Sequence, residues 1–172
     1  CRAQNEARVA DTCIERLQSG ETAAYVNDAG TPGLSDPGAV LVSKVRAAGF
    51  PVRPIPGASA LAAIVSAAGY PGKGVRFEGF LSPKDGRRRR RLQELLAMGD
   101  AFVLYESPYR TVKLLEDVVS LEPDRRLLVG REMTKMHEEY LEGTAQDVAQ
   151  ILSTRAQVKG EVTVLVAPRK KG

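Results

Sequence analysis

Two carboxylates, two hydroxyls and three glycines fall within one run of twelve residues, Asn27-Asp28-Ala29-Gly30-Thr31-Pro32-Gly33-Leu34-Ser35-Asp36-Pro37-Gly38. Gly30 and Gly33 can take left-handed backbone or let a ligand reach the bare main-chain amides. Asp28 and Asp36 can bond backbone amides or coordinate a hard cation such as magnesium, and Ser35 or Asp36 can cap a following helix with Pro37 near its first position. The same composition also describes an ordinary strand-to-helix turn, so both readings stand at this level. A second set of polar residues is dispersed along the chain: Glu106, Glu132 and Glu161, each at the end of an expected strand, with Arg131, Lys135 and Lys159 close in sequence. Singly, these acids read as edge-of-sheet carboxylates paired with a basic neighbour. If the strand ends converge, they form one polar cluster.

Other chemistries find little support. His137 is the only histidine and Cys1 and Cys13 are the only thiols. A His/Cys zinc site is therefore implausible, and a Ser-His-Asp triad would rest on a histidine flanked by Glu138 and Glu139. Neither a P-loop nor a GxGxxG pattern occurs, and no metal site is expected.

The elements that must position these residues follow from hydrophobic periodicity. Residues 5–17 read as an amphipathic helix stopped by Gly20, and residues 23–26 as a buried strand that delivers the glycine-rich loop. A helix over 37–48, a short strand at 52–55 and a second loop, Pro56-Gly57-Ala58-Ser59, follow; the strand-helix-strand order implies a right-handed parallel crossover. That second loop opens an alanine-rich helix over 60–68, whose first amides can take either a cap or a polar ligand. Gly69-Tyr70-Pro71-Gly72-Lys73-Gly74 is the expected linker, dividing a lobe over 1–70 from a lobe over 75–172. In the second lobe, strands are expected at 75–80, 101–105, 126–130 and 161–167, with an edge strand at 138–141. Helices are expected to start at Ser82-Pro83 and Ser107-Pro108, and another spans 144–152 with Thr144 as cap and Asp147 at its third position. The fold class is α/β in two lobes, each a sheet flanked by helices, with a cleft between them.

With 172 residues, 43% of them hydrophobic, the chain can bury one core or two small ones. No apolar run approaches the roughly 18 residues that cross a bilayer, so no membrane partner is expected. Two cysteines make no disulfide scaffold, and a cytosolic, cytoplasmic location is the default. The formal net charge is +4 and five consecutive arginines, Arg87 to Arg91, carry the strongest local charge. On a helix they point all round the axis, so only some can meet a partner. Together with Lys84, Arg110, Arg131 and Lys135 they offer a basic face to a phosphate backbone. Aromatic residues make up only 5% of the chain and tryptophan is absent, so no platform for stacking bases is evident.

Six short motifs occur in order: the run from Asp28 to Gly38, Pro56-Gly57-Ala58-Ser59-Ala60, Glu78-Gly79-Phe80-Leu81, Tyr105-Glu106-Ser107-Pro108-Tyr109-Arg110, Arg131-Glu132-Met133-Thr134-Lys135 and Lys159-Gly160-Glu161. Together they resemble the ribosomal RNA small-subunit methyltransferase I family, enzymes of the tetrapyrrole methylase fold that methylate a cytidine ribose 2′-hydroxyl. The resemblance covers nearly the whole chain. Family members begin with a strand, a proline-glycine loop and a Glu-Asp-Thr-Arg motif that are not found here, so the chain looks like a member lacking its first two or three strand-helix units. The resemblance implies S-adenosyl-L-methionine as cofactor, ribosomal RNA or the small ribosomal subunit as partner, and a homodimer. Cofactor contacts are expected at Asp28, Gly30, Thr31, Leu34, Ser59, Ala60, Tyr105 and Glu106. Activation of the attacking hydroxyl falls to Asp36, Arg131, Glu132, Lys135 or Glu161, with no choice among them. Alternatives are a methylase of the same fold acting on a tetrapyrrole, another small molecule or a protein, and a non-catalytic RNA-binding fragment.

Overall fold

The structure is a computed structural model that describes residues 5–70 and 74–169. It divides into two compact units, Cys1–Ser59 and Ala60–Gly172. Of the expected linker, Pro71, Gly72 and Lys73 lie outside the described residues.

The first unit has two helices, α1 (Glu6–Gln18) and α2 (Ala39–Ala47). They meet through buried Ala10, Leu41 and Val45, against which Cys13, Ile14, Leu17, Tyr25, Phe50 and Val52 pack. A buried acid joins them at one end: Glu6 Oε1 accepts the amides of Gly38 at 2.8 Å and Leu41 at 3.0 Å. Its negative charge therefore sits on the α2 N-terminus, where the helix dipole favours it. The expected caps Ser35 and Asp36 do not fill that place, and α2 starts two residues later than Pro37. The expected strands at 23–26 and 52–55 are absent among the described residues of this unit. A strand exists only through ladder bonds to a neighbour, and these segments have none; Val26 and Ile55 are left 80% and 81% exposed.

The second unit runs α3 (Ala60–Ala68), β1 (Val75–Phe80), α4 (Asp85–Met98), β2 (Ala101–Glu106), α5 (Thr111–Leu121), β3 (Arg126–Arg131), β4 (Glu139–Thr144), α6 (Ala145–Ser153) and β5 (Val162–Val166). The sheet order is β1-β2-β5-β3-β4, with β1 and β2 parallel and the other pairs antiparallel. Alternation sends Phe102, Leu104, Leu127, Val129, Val162, Val164 and Val166 to one face, where they meet leucines and valines of α4, α5 and α6. Val103, Leu128 and Leu165 point to the other face and cover Ile64 of α3. Helix α3 thus completes this sheet's core.

Most expected elements are found, with shifted ends. Helices α4 and α5 begin later than their Ser-Pro dipeptides. Ser82 Oγ accepts the Lys84 amide at 3.3 Å, and the Ser107 carbonyl accepts the Arg110 amide at 3.0 Å, so each dipeptide makes a turn before the helix. At α6 the expected cap is present: Thr144 Oγ1 accepts the Asp147 amide at 3.1 Å while Asp147 Oδ2 accepts the Thr144 amide at 3.1 Å. No helix is long and apolar enough to cross a membrane among the described residues.

Candidate active site

In the first unit the loop over 27–38 is shaped by its own backbone. Gly30 (φ 69°) passes so close to the second loop that a Cβ there would lie 2.8 Å from the Ala58 carbonyl oxygen. The next amide, Thr31, donates to that same carbonyl at 2.9 Å. Only glycine suits this crossing, because both the φ and the close approach exclude a side chain. Asn27 Nδ2 donates to Asp36 Oδ2 at 2.8 Å, and Tyr25 donates its hydroxyl to the Pro37 carbonyl at 2.6 Å. Asp36 is therefore a brace across the loop. Asp28, Thr31 and Leu34 are exposed on it, Ser59 is half-buried, and Ala60 opens α3 in the second unit.

In the second unit, strand register gathers the dispersed residues. Glu106 ends β2 opposite Val162, and Val162 is in turn opposite Arg131 at the end of β3. Glu106, Arg131, Glu132 and Glu161 thus occupy one end of one sheet. The Lys135 ammonium bridges Glu132 Oε1 and Glu161 Oε2, at 3.0 Å each. Glu132 Oε1 also accepts the Glu161 amide at 2.8 Å, and the Glu132 amide donates to the Glu161 carbonyl at 2.9 Å. The turn that allows this is strained, with φ of 49° at Glu132 and 66° at Thr134. Non-glycine residues in this region persist only where their surroundings hold them, and they concentrate at functional sites. Gly160 makes room for the turn, since a Cβ there would overlap the Glu132 side chain.

The electrostatics are consistent with a charged cluster. The Glu161 amide, then Lys135, hold the Glu132 carboxyl below its usual range. Glu161, then Glu132, raise Lys135, which stays an ammonium at neutral pH. Arg131 is turned away into a second network: its Nε donates to Glu139 Oε2 at 2.8 Å and its Nη1 to the Lys159 carbonyl at 3.2 Å. Arg155 grips Glu139 with two bonds of 2.8 and 2.6 Å, and Arg155 first, Arg131 second, pull the Glu139 carboxyl down to about 2. Glu139, Arg155 and Gly160 were not singled out from the sequence as site residues. Lys159-Gly160-Glu161 pointed at the glycine only through its motif, and nothing in sequence spacing signals that Arg155 reaches β4.

Glu106 is 3% exposed. Its Oε1 accepts the Ser107 amide at 2.7 Å and lies 2.5 Å from Arg110 Nη2, whereas Oε2 is buried with no hydrogen-bond partner. Such an atom is an acceptor awaiting a donor. Tyr105, one residue earlier on the opposite face, stands edge-on to Phe77 at 4.9 Å and Phe80 at 5.9 Å between ring centres. Among the described residues no group of three His, Cys, Asp or Glu side chains is arranged to hold a metal ion.

A family model for Tetrapyrrole (Corrin/Porphyrin) Methylases matches residues 1–149. The chain is also 44% identical over 168 residues to the ribosomal RNA small subunit methyltransferase I of Borrelia garinii, covering 97% of this chain and 75% of that protein. The chain belongs to this methyltransferase family. It is 40% identical to the Neisseria meningitidis serogroup B protein of the same name, spanning 97% of this chain but only 58% of that relative's length. Among solved structures, the methyltransferase CobJ superposes with a TM-score of 0.70 at 21% identity over 97% of this chain and 74% of that one. Uroporphyrin-III C-methyl transferase from Thermus thermophilus, complexed with S-adenosyl homocysteine, gives 0.54 at 15% identity over 92% of this chain and 71% of that one. At these identities the likeness is one of fold, and it agrees with the α/β class.

Proposed function

We propose that the chain carries an S-adenosylmethionine-dependent methyl transfer to small-subunit ribosomal RNA, at the 2′-hydroxyl of a cytidine. The observation that carries this reading is the 44% identity over 97% of the chain to a ribosomal RNA small subunit methyltransferase I. The residues present fit the cofactor's chemistry. The loop over 28–34 is solvent-exposed at Asp28, Gly30, Thr31 and Leu34 and held in shape by the Gly30–Ala58 crossing, a preset polar loop suited to a nucleoside-like ligand. The unpartnered Oε2 of Glu106 suits a ligand amine or hydroxyl. Asp28, Gly30, Thr31, Leu34, Ser59 and Ala60 are the proposed donor-binding residues on the two loops, and Tyr105 and Glu106 those at the sheet end.

The cofactor supplies an activated methyl on a sulfonium that leaves readily. The chain's own task is to orient the hydroxyl and to manage its proton and developing negative charge. Among the five candidates, Asp36 braces its loop, Arg131 is committed to Glu139, and Glu132 is locked by the Glu161 amide and Lys135. Lys135 and Glu161 keep side chains 42% and 75% exposed. Lys135 is therefore assigned to stabilising the alkoxide and Glu161 to accepting the proton, with Glu132 positioning both. A cytosolic homodimer accords with this reading. Sedimentation equilibrium at micromolar concentration checks the dimer, and a monomer that methylates RNA would remove it.

The test of the reaction is transfer of tritiated methyl from S-adenosylmethionine to small ribosomal subunits, followed by alkaline hydrolysis. Label is expected in an alkali-resistant dinucleotide beginning with cytidine, because a 2′-O-methyl group blocks cleavage. Label in mononucleotides would place the methyl on a base instead, and no label would overturn the reading.

A further inference from the structure

We infer that Arg87 and Arg90, with Lys84, form the surface by which this chain grips the phosphate backbone of its RNA. The inference takes from the methyl-transfer reading only the identity of the polyanion. The five-arginine run splits into structural and free members. At about 100° per residue, Arg88, Leu92, Leu95 and Leu96 lie roughly 100°, 140°, 80° and 180° round from Arg87, a buried arc centred near 125°. Arg90, near 300° on the same wheel, points away from the core, and Arg87 lies about 125° from its centre.

The contacts follow that geometry. Arg88 is 3% exposed and ties Asp117 at 2.7 Å and Asp85 at 2.7 Å. Arg91 clamps Glu78 with bonds of 2.6 and 2.8 Å and Glu94 with one of 2.8 Å. Arg89 reaches the Ser120 hydroxyl at 3.1 Å and Asp117 at 4.0 Å. Arg87, Arg90 and Lys84 are exposed and meet no acid among the described residues. The acids of the same helix are already claimed, Asp85 by Arg88 and Glu94 by Arg91. Lys113, which with Arg89 also acts on Asp85, holds only a loose pair with Glu116 at 3.8 Å.

Like charges three residues apart on a helix repel, so Arg87 and Arg90 weaken α4 unless an external anion lies across them. Their rise of about 4.5 Å along the axis and their forked donors suit adjacent phosphates. Gly86 leaves the surface beside them open, because a Cβ there would meet nothing within 4 Å. The other bases that the sequence grouped with the run are engaged elsewhere: Arg110 with Glu106, Arg131 with Glu139, and Lys135 with Glu132 and Glu161.

The test is fluorescence anisotropy of a labelled small-subunit RNA fragment binding the 172-residue chain over a salt series. Arg87→Gln with Arg90→Gln is expected to reduce the magnitude of the slope of log K against log salt by about 1.4 to 1.8, at 0.7 to 0.9 per phosphate contact. Arg46→Gln with Arg53→Gln, the same charge change in the first unit, is expected to alter it by less than half as much. Equal effects from the two pairs would reduce the result to net charge and overturn the inference. So would an unchanged slope, even while methyl transfer proceeds, and so would binding to phosphatidylglycerol vesicles that depends on Arg87 and Arg90 when RNA binding does not. Methyl label absent from RNA, with the slope change present, would instead remove the reaction and leave the grip.

Discussion

The two units place functional groups by different physical means. In the first, a loop is held by main chain crossing main chain, Gly30 over Ala58, beside a small helix pair whose core, among the described residues, is Ala10, Leu41 and Val45. In the second, a five-stranded sheet covered by α4, α5 and α6 on one face and α3 on the other sets the register that brings Glu106, Arg131, Glu132 and Glu161 to one end. The difference teaches where each is vulnerable. A backbone-built loop fails at a glycine, whereas a register-built cluster fails when the core or its buried ions fail.

The largest effect should come from the second unit's buried ion pair. Arg88→Ala leaves Asp117, 2% exposed, without its hydrogen-bonded partner and with only Arg89 at 4.0 Å, and the expected loss is about 3–5 kcal/mol in the urea unfolding of that unit. A loss under 1 kcal/mol would show that the pair is not structural. Next comes the loop: Gly30→Ala should lose about 1–3 kcal/mol locally, seen as faster hydrogen exchange at the Thr31 amide that bonds Ala58. Unchanged exchange would mean that the crossing tolerates a side chain.

Smaller again is an acid effect confined to the second unit. Glu139 has its carboxyl depressed from 4.5 to about 2 by Arg155 and Arg131. A depressed acid contributes stability above its unfolded value, and that contribution is lost as pH falls from about 4.5 toward 2. Arg155→Gln should therefore destabilise the unit at neutral pH and flatten its acid loss over that window, as followed by unfolding midpoints; parallel curves would exclude the pair. The smallest change is expected from Lys44→Ala, whose bond to Asp11 at 2.6 Å is 39% and 62% exposed. Such pairs contribute about 0–1 kcal/mol, and a larger loss in the first unit's midpoint would mean that its helix pair depends on charge.

The same contrast explains what could be read from sequence. Local signals held where their partners are local. Thr144 and Asp147 cap α6 as their spacing indicates. The apolar runs of β1, β2, β3 and β5 also held, because the sheet supplies each with a neighbour. Signals whose distant partner is missing, or gives no local sign, did not carry. The apolar runs at 23–26 and 52–55 looked like strands because periodicity cannot say whether a neighbouring strand exists. Ser35 and Asp36 looked like caps because Glu6, far off in sequence, gives no sign that it takes their place. The arginine run announced that its members differ but not how they divide, since Arg88 and Arg91 are claimed by Asp117 and Glu78 from other elements. Likewise Glu132, Lys135 and Glu161 were separate candidates until antiparallel pairing of β3 with β5 set them side by side.

The central claim is that this sheet-end cluster performs the transfer, and Lys135→Met tests it most directly by single-turnover methyl transfer to small ribosomal subunits. Removing one preorganised charge at a developing oxyanion costs about 10²–10³-fold in rate. The account predicts a loss of that size, with the affinities for S-adenosylmethionine and RNA nearly unchanged. A variant that transfers methyl at the wild-type rate would contradict it.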